Sequence, residues 1–150
     1  MTVDTTRVVI VGGGYAGLAS ALFLSHQGVP CVLVDRHYQI SLLGRARGIN
    51  PRTMEIYRAL GLAEAVKEAG KPFDEDAGVA RCETLTGPWQ WIWGDEQPRT
   101  MPELTSGEFG LADQSAVEPI LAGAARDAGA DLRFSTQCVS VEQDADGVTV

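Results

Sequence analysis

The sequence contains few cysteines, no long apolar segment and no cluster of basic residues. The three cysteines, Cys31, Cys82 and Cys138, are odd in number and far apart, which indicates neither a disulfide framework nor a CxxC metal site. No stretch reaches the roughly 20 apolar residues of a membrane helix. The net charge of −8, with 12 scattered Lys and Arg residues, argues against a nucleic-acid partner. We therefore predict a soluble, cytoplasmic protein with no metal site and no membrane partner.

Glycine and β-branched residues dominate the segment VVIVGGGYAG at residues 8–17. Its short apolar run predicts a buried strand that ends at the glycines. Residues 15–28 then have the apolar spacing of a helix that ends near Gly28, and PCVLVDR at residues 30–36 predicts a second buried strand. Strand, helix and strand within about 30 residues form a βαβ unit, whose strands must be parallel.

Gly12, Gly14 and Gly17 form the pattern G-x-G-x-x-G. By itself this pattern is a weak signal, because a glycine-rich chain can match it by chance and a loose turn would look the same. Its context is more specific. The pattern follows a predicted strand and opens a predicted helix, and Asp35 ends the next strand about 20 residues later. The segment therefore predicts a loop that binds a dinucleotide.

The fingerprint residues have distinct physical roles. Gly12 permits the tight turn, Gly14 lets the backbone approach a pyrophosphate, and Gly17 lets helix and strand pack closely. The helix N-terminus offers N–H groups and positive partial charge to the phosphates. Asp35 can accept hydrogen bonds from the ribose hydroxyls and would repel a 2′-phosphate, which favours FAD or NAD over NADP. The loop residues predicted to contact the cofactor are Gly12, Gly14, Tyr15, Ala16 and Gly17.

The segment GRARGINPRTMEIYRALGL, residues 44–62, is a second constellation. Asn50 can cap a helix there, and Pro51 suits its first turn. Arg45 and Arg47 precede this helix. Their guanidinium groups either close on the pyrophosphate as bidentate donors or belong to a solvated basic loop, and the residues alone leave both readings open.

Residues 62–70 predict a short helix, and residues 73–109 predict β-rich structure that leaves the doubly wound core. Trp89, Trp91 and Trp93 alternate as they would on one face of a strand. This stripe either lines an aromatic pocket or packs in a core or interface.

The segment SAVEPILAGAARDAGADLRF predicts a further helix and strand, with Ser115 and Glu118 at the spacing of a capping box. The last residues predict a β-hairpin that turns at Asp146 and Gly147. Because the sequence stops at Val150, inside the second strand of this hairpin, we expect a fragment of a longer enzyme.

Three blocks of residues resemble a known family. They are the fingerprint with Asp35 and Arg36, the block RARGINPRTMEIYRALGL at residues 45–62, and DQSAVEPILAGAARDAGADLRFSTQCVSVEQD at residues 113–144. Together they resemble the FAD-dependent aromatic hydroxylases, or single-component flavoprotein monooxygenases. The likeness is greatest to the branch acting on polyketide and phenolic substrates. It covers nearly the whole chain and is weakest between residues 72 and 108.

The resemblance implies an α/β fold, the Rossmann-like βαβ fold of the glutathione-reductase-like FAD-binding type. Residues 1–150 are then the N-terminal part of an incomplete FAD-binding domain. Residues 73–109 form a β-rich excursion toward a substrate domain that is largely absent. The implied activity is hydroxylation of an aromatic or polyketide-type substrate with O2. FAD is the implied bound cofactor, with NADPH or NADH as the transient electron donor.

The resemblance also implies roles for single residues. Asp35 holds the adenosine ribose, and Arg36 lies beside the adenine. Arg45 reaches the pyrophosphate or the ribityl chain. Gln114 contacts the ribityl chain, although the residues alone favour a polar side chain near a helix start. The backbone of Val139 meets the adenine.

The resemblance divides the other residues singled out in the second block into two groups. Ala46 is expected at the cofactor, next to Arg45. Arg47, Arg52 and Glu55 are expected to be structural and to pin the loop to the helix that follows it.

No catalytic residue is predicted. His26, on a helix surface, and His37, just after a strand, are interpreted as structural or solvated. Alternative functions are another FAD-dependent oxidoreductase (a reductase, halogenase or oxidase), an NAD-dependent dehydrogenase, or a non-catalytic FAD-binding fragment that needs a partner. The second block disfavours the dehydrogenase, and flavin binding together with NADPH oxidation would separate the others.

Overall fold

A computed structural model describes residues 4–41, 45–73, 78–93 and 103–150 of the chain. The chain divides into two compact units, residues 1–43 with 117–150 and residues 44–116. Among the described residues the strands are β1 (Val8–Val11), β2 (Cys31–Val34), β3 (Gly48–Ile49), β4 (Val79–Cys82), β5 (Trp89–Trp93), β6 (Gly110–Leu111), β7 (Asp131–Arg133), β8 (Glu142–Gln143) and β9 (Val148–Thr149). The helices are α1 (Tyr15–His26), α2 (Pro51–Ala59), α3 (Ala63–Gly70) and α4 (Gln114–Asp127), with a 3-10 turn at Lys71–Phe73.

The first unit contains the predicted βαβ arrangement. Strands β1, β2 and β7 form a parallel sheet in the order β1-β2-β7, with Val8 opposite Cys31 and Val32 opposite Asp131. Helix α1 connects β1 to β2 and buries the apolar face made by Leu18, Ala21 and Leu22. The predicted α/β organisation and parallel strand direction are therefore confirmed.

The burial of the two predicted strands differs. Strand β2 is buried as expected, whereas in β1 the side chains of Val9 and Val11 are 38% and 57% exposed. The prediction of a buried β1 is therefore wrong at Val9 and Val11. Val9 and Val11 share one face of the strand, since side chains alternate along it.

The second unit is organised around helices α2 and α3. Asn50 caps α2, because its Oδ1 accepts a hydrogen bond from Thr53 N at 2.8 Å, as predicted. Met54 and Tyr57 of α2 are buried, as is Val66 of α3. Strands β3 and β6 pair antiparallel in this unit.

The tryptophan stripe lies in an antiparallel hairpin of β4 and β5. Trp89 and Trp91 are 59% and 54% exposed, and their rings meet edge to face with centroids 4.9 Å apart. The predicted strand is confirmed, but these two rings do not pack in a core in the described part of the chain. Residues 74–77 and 94–102 of the predicted β-rich excursion, and the side chain of Trp93, lie outside the described residues.

The end of the chain follows the predicted order of helix, strand and hairpin, with one correction. Helix α4 begins at Gln114, so Ser115 lies inside the helix and is not its N-cap. Glu118 is fully buried, so the predicted capping box is wrong. Strands β8 and β9 form the predicted hairpin, closed by a hydrogen bond from Asp144 N to Gly147 O at 3.0 Å.

Candidate functional site

The turn between β1 and α1 requires glycine at two positions. Gly12 has φ +110°, in the left-handed region that favours glycine, and its N–H donates to Val34 O at 2.9 Å. A Cβ on Gly17 would lie 1.9 Å from Gly12 O, so α1 packs directly against the turn. These are the structural roles that the fingerprint predicts for Gly12 and Gly17.

Gly14 is the N-cap of α1, and no side chain caps the helix there. The first turn of α1 contains no acidic residue that would repel an anion. A Cβ on Gly14 would meet Glu118 Oε1 at 3.8 Å, an ordinary contact. Packing within the protein therefore does not demand glycine at this position. The absence of a side chain at Gly14 matters instead on the side from which a ligand would approach, where a Cβ would stand in its way.

Asp35 follows β2 directly, and its carboxylate is fixed by three hydrogen bonds. Oδ2 accepts from Gly13 N at 2.6 Å. Oδ1 accepts from His37 N at 2.7 Å and contacts His37 Nδ1 at 2.9 Å. Burial raises the pKa of the Asp35 carboxyl group, but the bonds from Gly13 and His37 outweigh burial and hold this pKa below its ordinary value. The group is therefore a charged acceptor at neutral pH.

A cavity of about 230 Å³ opens beside this carboxylate. Typical small-molecule pockets are about 300–1,000 Å³, so the cavity fits part of a dinucleotide rather than the whole. It lies at the carboxyl ends of parallel strands, the edge where open α/β sheets bind ligands. Its lining residues are Val11, Gly12, Val34, Asp35, Arg36, His37, Thr136, Gln137 and Cys138.

The structure brings three of the predicted site residues of the first unit, Gly12, Asp35 and Arg36, into the lining of this cavity. Val139 is 84% exposed and directly follows the lining residue Cys138. Its predicted backbone contact with adenine stays a prediction.

In the second unit, Arg45 and Ala46 are exposed and Gln114 is the first residue of α4. Gln114 N donates to Ala46 O at 2.8 Å, and Ala112 N donates to Arg47 O at 3.0 Å. Residues 45–47, here called the arginine loop, therefore run alongside the start of α4. The segments that contain Arg45 and Gln114 are next to each other.

Arg47, Arg52 and Glu55 make structural contacts as expected, but their partners differ from the prediction, because none of these contacts joins the loop to α2. Arg47 Nε donates to Asp113 Oδ1 at 2.9 Å, and its guanidinium lies 3.9 Å from the centroid of the Phe73 ring. Arg52 pairs with Glu55 at 2.9 Å, and Glu55 also accepts a hydrogen bond from the Thr105 hydroxyl. These contacts pin the loop before α2 and the segment around residue 105.

Several residues in or beside the cavity were missed by sequence reasoning. Gly13 lies between two fingerprint positions, and a Cβ there would meet both Asp35 Cβ and Phe134 Cε1 at 3.1 Å. The run of three glycines was the sequence feature that could have pointed to Gly13. Cys138 is half-buried in a loop. Thr136 and Gln137 follow β7, about 100 residues after Asp35, and no local sequence pattern marked them as part of the site.

Two general features are absent from the described ranges. Residues 4–41, 45–73, 78–93 and 103–150 contain no group of three or more His, Cys, Asp or Glu side chains that would hold a metal ion. Across these same ranges, no helix combines the length and apolar character needed to cross a membrane.

Comparison with known proteins adds an independent line of support. A family described as FAD binding domain matches residues 5–150. A putative polyketide hydroxylase of Streptomyces halstedii is 36% identical, over 99% of this chain and 27% of the relative. The tetracenomycin B2 monooxygenase-dioxygenase of Streptomyces olivaceus is 39% identical, over 94% of this chain and 29% of the relative.

The fold is shared with a solved structure of the same kind. The flavin-dependent monooxygenase PieE, in complex with FAD and substrate, superimposes with a TM-score of 0.79 at 36% identity, over 95% of this chain and 26% of that one. The present chain thus spans little more than a quarter of the length of the relatives it matches.

Proposed function

This chain belongs to the family of FAD-binding domains, and from that premise we propose that it binds FAD as part of an FAD-dependent monooxygenase. The proposed whole protein hydroxylates an aromatic or polyketide-type substrate with O2 and NADPH or NADH. Support comes from the relatives, which include a putative polyketide hydroxylase and a tetracenomycin monooxygenase-dioxygenase. The observation that carries the proposal is the charged Asp35 carboxylate beside the glycine turn, at the carboxyl edge of the parallel sheet.

The residues at the turn fit the ADP half of FAD. Asp35 can accept hydrogen bonds from the ribose hydroxyls inside the cavity. The N–H groups of Gly12 and Gly13 are used within the protein, by Val34 O and Asp35 Oδ2. Contacts with the pyrophosphate are therefore assigned to the backbone from Gly14 through Ala16, where the dipole of α1 favours negative charge. Gly12 acts through its conformation.

The adenine is assigned to the part of the cavity away from the turn. Arg36 lines the cavity and would lie beside the base. Thr136, Gln137 and Cys138 also line the cavity, and the backbone of Val139 directly follows them. These proposed roles combine what the family resemblance implies with the residues that line the cavity.

Arg45, Ala46 and Gln114 are proposed to hold the remainder of the cofactor. The hydrogen bond from Gln114 N to Ala46 O supports a shared role, because it keeps the arginine loop against the start of α4. The exposed Arg45 guanidinium is a bidentate donor for the pyrophosphate or the ribityl hydroxyls. The Gln114 side chain carries both donors and an acceptor for the ribityl chain.

Bound FAD would supply the redox chemistry and the activation of O2, while the protein supplies binding, orientation and electrostatics. In this chain those tasks are to seat the adenosine at Asp35 and to offer the positive end of the α1 dipole to the pyrophosphate. No residue of the chain is assigned as a catalytic acid or base. We also propose a cytoplasmic location, supported by the three unpaired cysteines.

The test of cofactor binding is a visible absorbance spectrum after addition of FAD and removal of the excess. We expect a flavin band that stays with the protein, and weaker FAD binding in Arg45→Ala and Gln114→Ala. Arg58→Ala is the matched control, because Arg58 is an exposed arginine on α2 outside the proposed site. Unchanged FAD affinity in both site variants would sink the assignment of Arg45 and Gln114.

The test of the reaction uses the whole protein. Addition of the correct phenol should accelerate NADPH oxidation and yield a hydroxylated product. NADPH oxidation that never yields a hydroxylated product from a panel of phenols and polyketide aromatics would favour another FAD-dependent oxidoreductase.

A further inference from the structure

The Asp35 carboxylate has little room left for a ligand. A carboxylate offers about four acceptor sites in total. Three are used by Gly13 N, His37 N and His37 Nδ1, at 2.6, 2.7 and 2.9 Å. An adenosine ribose brings two hydroxyl groups, so one acceptor site is missing for it.

Only one of the three donors can leave without unfolding the site. The Gly13 and His37 amides belong to backbone that is locked in place. Asp35 O accepts from Thr136 N at 2.8 Å, and His37 O accepts from Ser135 N at 2.8 Å. The imidazole of His37 is different, because this side chain is 66% exposed and can rotate into solvent.

We propose that the His37 imidazole is an internal competitor for the ribose site, which the cofactor must displace from Asp35 Oδ1 in order to bind. The inference rests on the proposed FAD site and adds a residue that regulates its occupancy. His37 thereby lowers the affinity for the cofactor, while its backbone N–H keeps the Asp35 carboxylate oriented in both states.

The test measures FAD affinity by flavin fluorescence at neutral pH for the wild type, His37→Ala and His26→Ala. The alanine variant at 37 removes the imidazole but keeps the backbone N–H. We expect it to bind FAD more tightly by about twofold to tenfold, the equivalent of one net hydrogen bond. His26 is the only other histidine and lies exposed on α1, so its variant should match the wild type.

A comparison of two nucleotides separates the competitor role of His37 from an effect of the substitution on protein stability. ADP carries both ribose hydroxyls, whereas 2′,3′-dideoxy-ADP carries neither and has no need to displace the imidazole. The gain from His37→Ala should appear with ADP and vanish with the dideoxy nucleotide. A variant that was merely misfolded would bind both nucleotides more weakly, and that result would overturn the inference.

Asp35→Asn separates this inference from the proposed function. If Asp35→Asn weakens FAD binding while His37→Ala binds FAD no better than the wild type, the competitor role is wrong and the FAD site stands. If FAD binds neither the wild type nor His37→Ala, the proposed function itself is wrong, and the inference falls with it.

Discussion

Substitution of Gly17 by alanine is the sharpest test of how the glycine turn is built. The added Cβ would lie 1.9 Å from Gly12 O, more than 1 Å inside a normal contact, and the obstacle is backbone rather than a flexible side chain. Gly12 is held in turn by its hydrogen bond to Val34 O at 2.9 Å. Helix α1 must therefore move away from the turn, or the turn must lose its bond to β2.

The magnitude follows from two opposing effects. Overpacking of this kind destabilises by about 1–3 kcal/mol, and a backbone clash belongs at the upper end. Alanine in place of glycine inside a helix returns about 0.5–1 kcal/mol. We expect Gly17→Ala to lower the free energy of unfolding by about 2 kcal/mol. Gly123→Ala on α4 is the matched control, because nothing lies within 4 Å of its added Cβ.

Urea unfolding followed by circular dichroism measures both variants. Gly123→Ala should raise the free energy of unfolding by about 0.5–1 kcal/mol, so the two variants should differ by about 3 kcal/mol. The FAD affinity of Gly17→Ala should also fall, since the turn that presents Gly14 is displaced. A Gly17→Ala protein as stable as Gly123→Ala would refute the close packing of α1 on the turn.

Two further predictions concern single hydrogen-bonded side chains. Because its pKa is lowered in the folded state, Asp35 should stabilise the fold above its unfolded pKa of about 3.9 and lose this contribution as the pH falls below it. The stability difference between wild type and Asp35→Asn should therefore shrink between pH 5 and 3 in urea titrations, and a constant difference would contradict the lowered pKa. Asn50→Ala should destabilise the protein by about 1 kcal/mol through loss of the cap on Thr53 N, whereas Asn50→Asp keeps an acceptor and should retain most of the stability.

The local backbone of this protein could be read from the sequence because its causes are close together in the chain. Gly12 must adopt a positive φ, and Asn50 caps a helix three residues before the N–H that it binds. Strand β2 follows α1 after a short turn, so β1 and β2 had to be parallel. Asp35 could be placed at the end of β2 for the same reason. The likeness of three blocks to flavoprotein monooxygenases supplied the FAD assignment that spacing alone left open between FAD and NAD.

Other features depended on contacts between distant segments, and only the tertiary structure decided them. The cavity wall at Thr136 to Cys138 comes from the chain after β7, which pairs with β2 about 100 residues away. Glu118 is polar by sequence yet fully buried, because the folded chain surrounds it. The contact of His37 with Asp35 is short in sequence, but it depends on side-chain rotamers that no hydrophobic pattern encodes. Periodicity records which face of an element is apolar, whereas a binding site is formed by polar groups whose partners the fold selects.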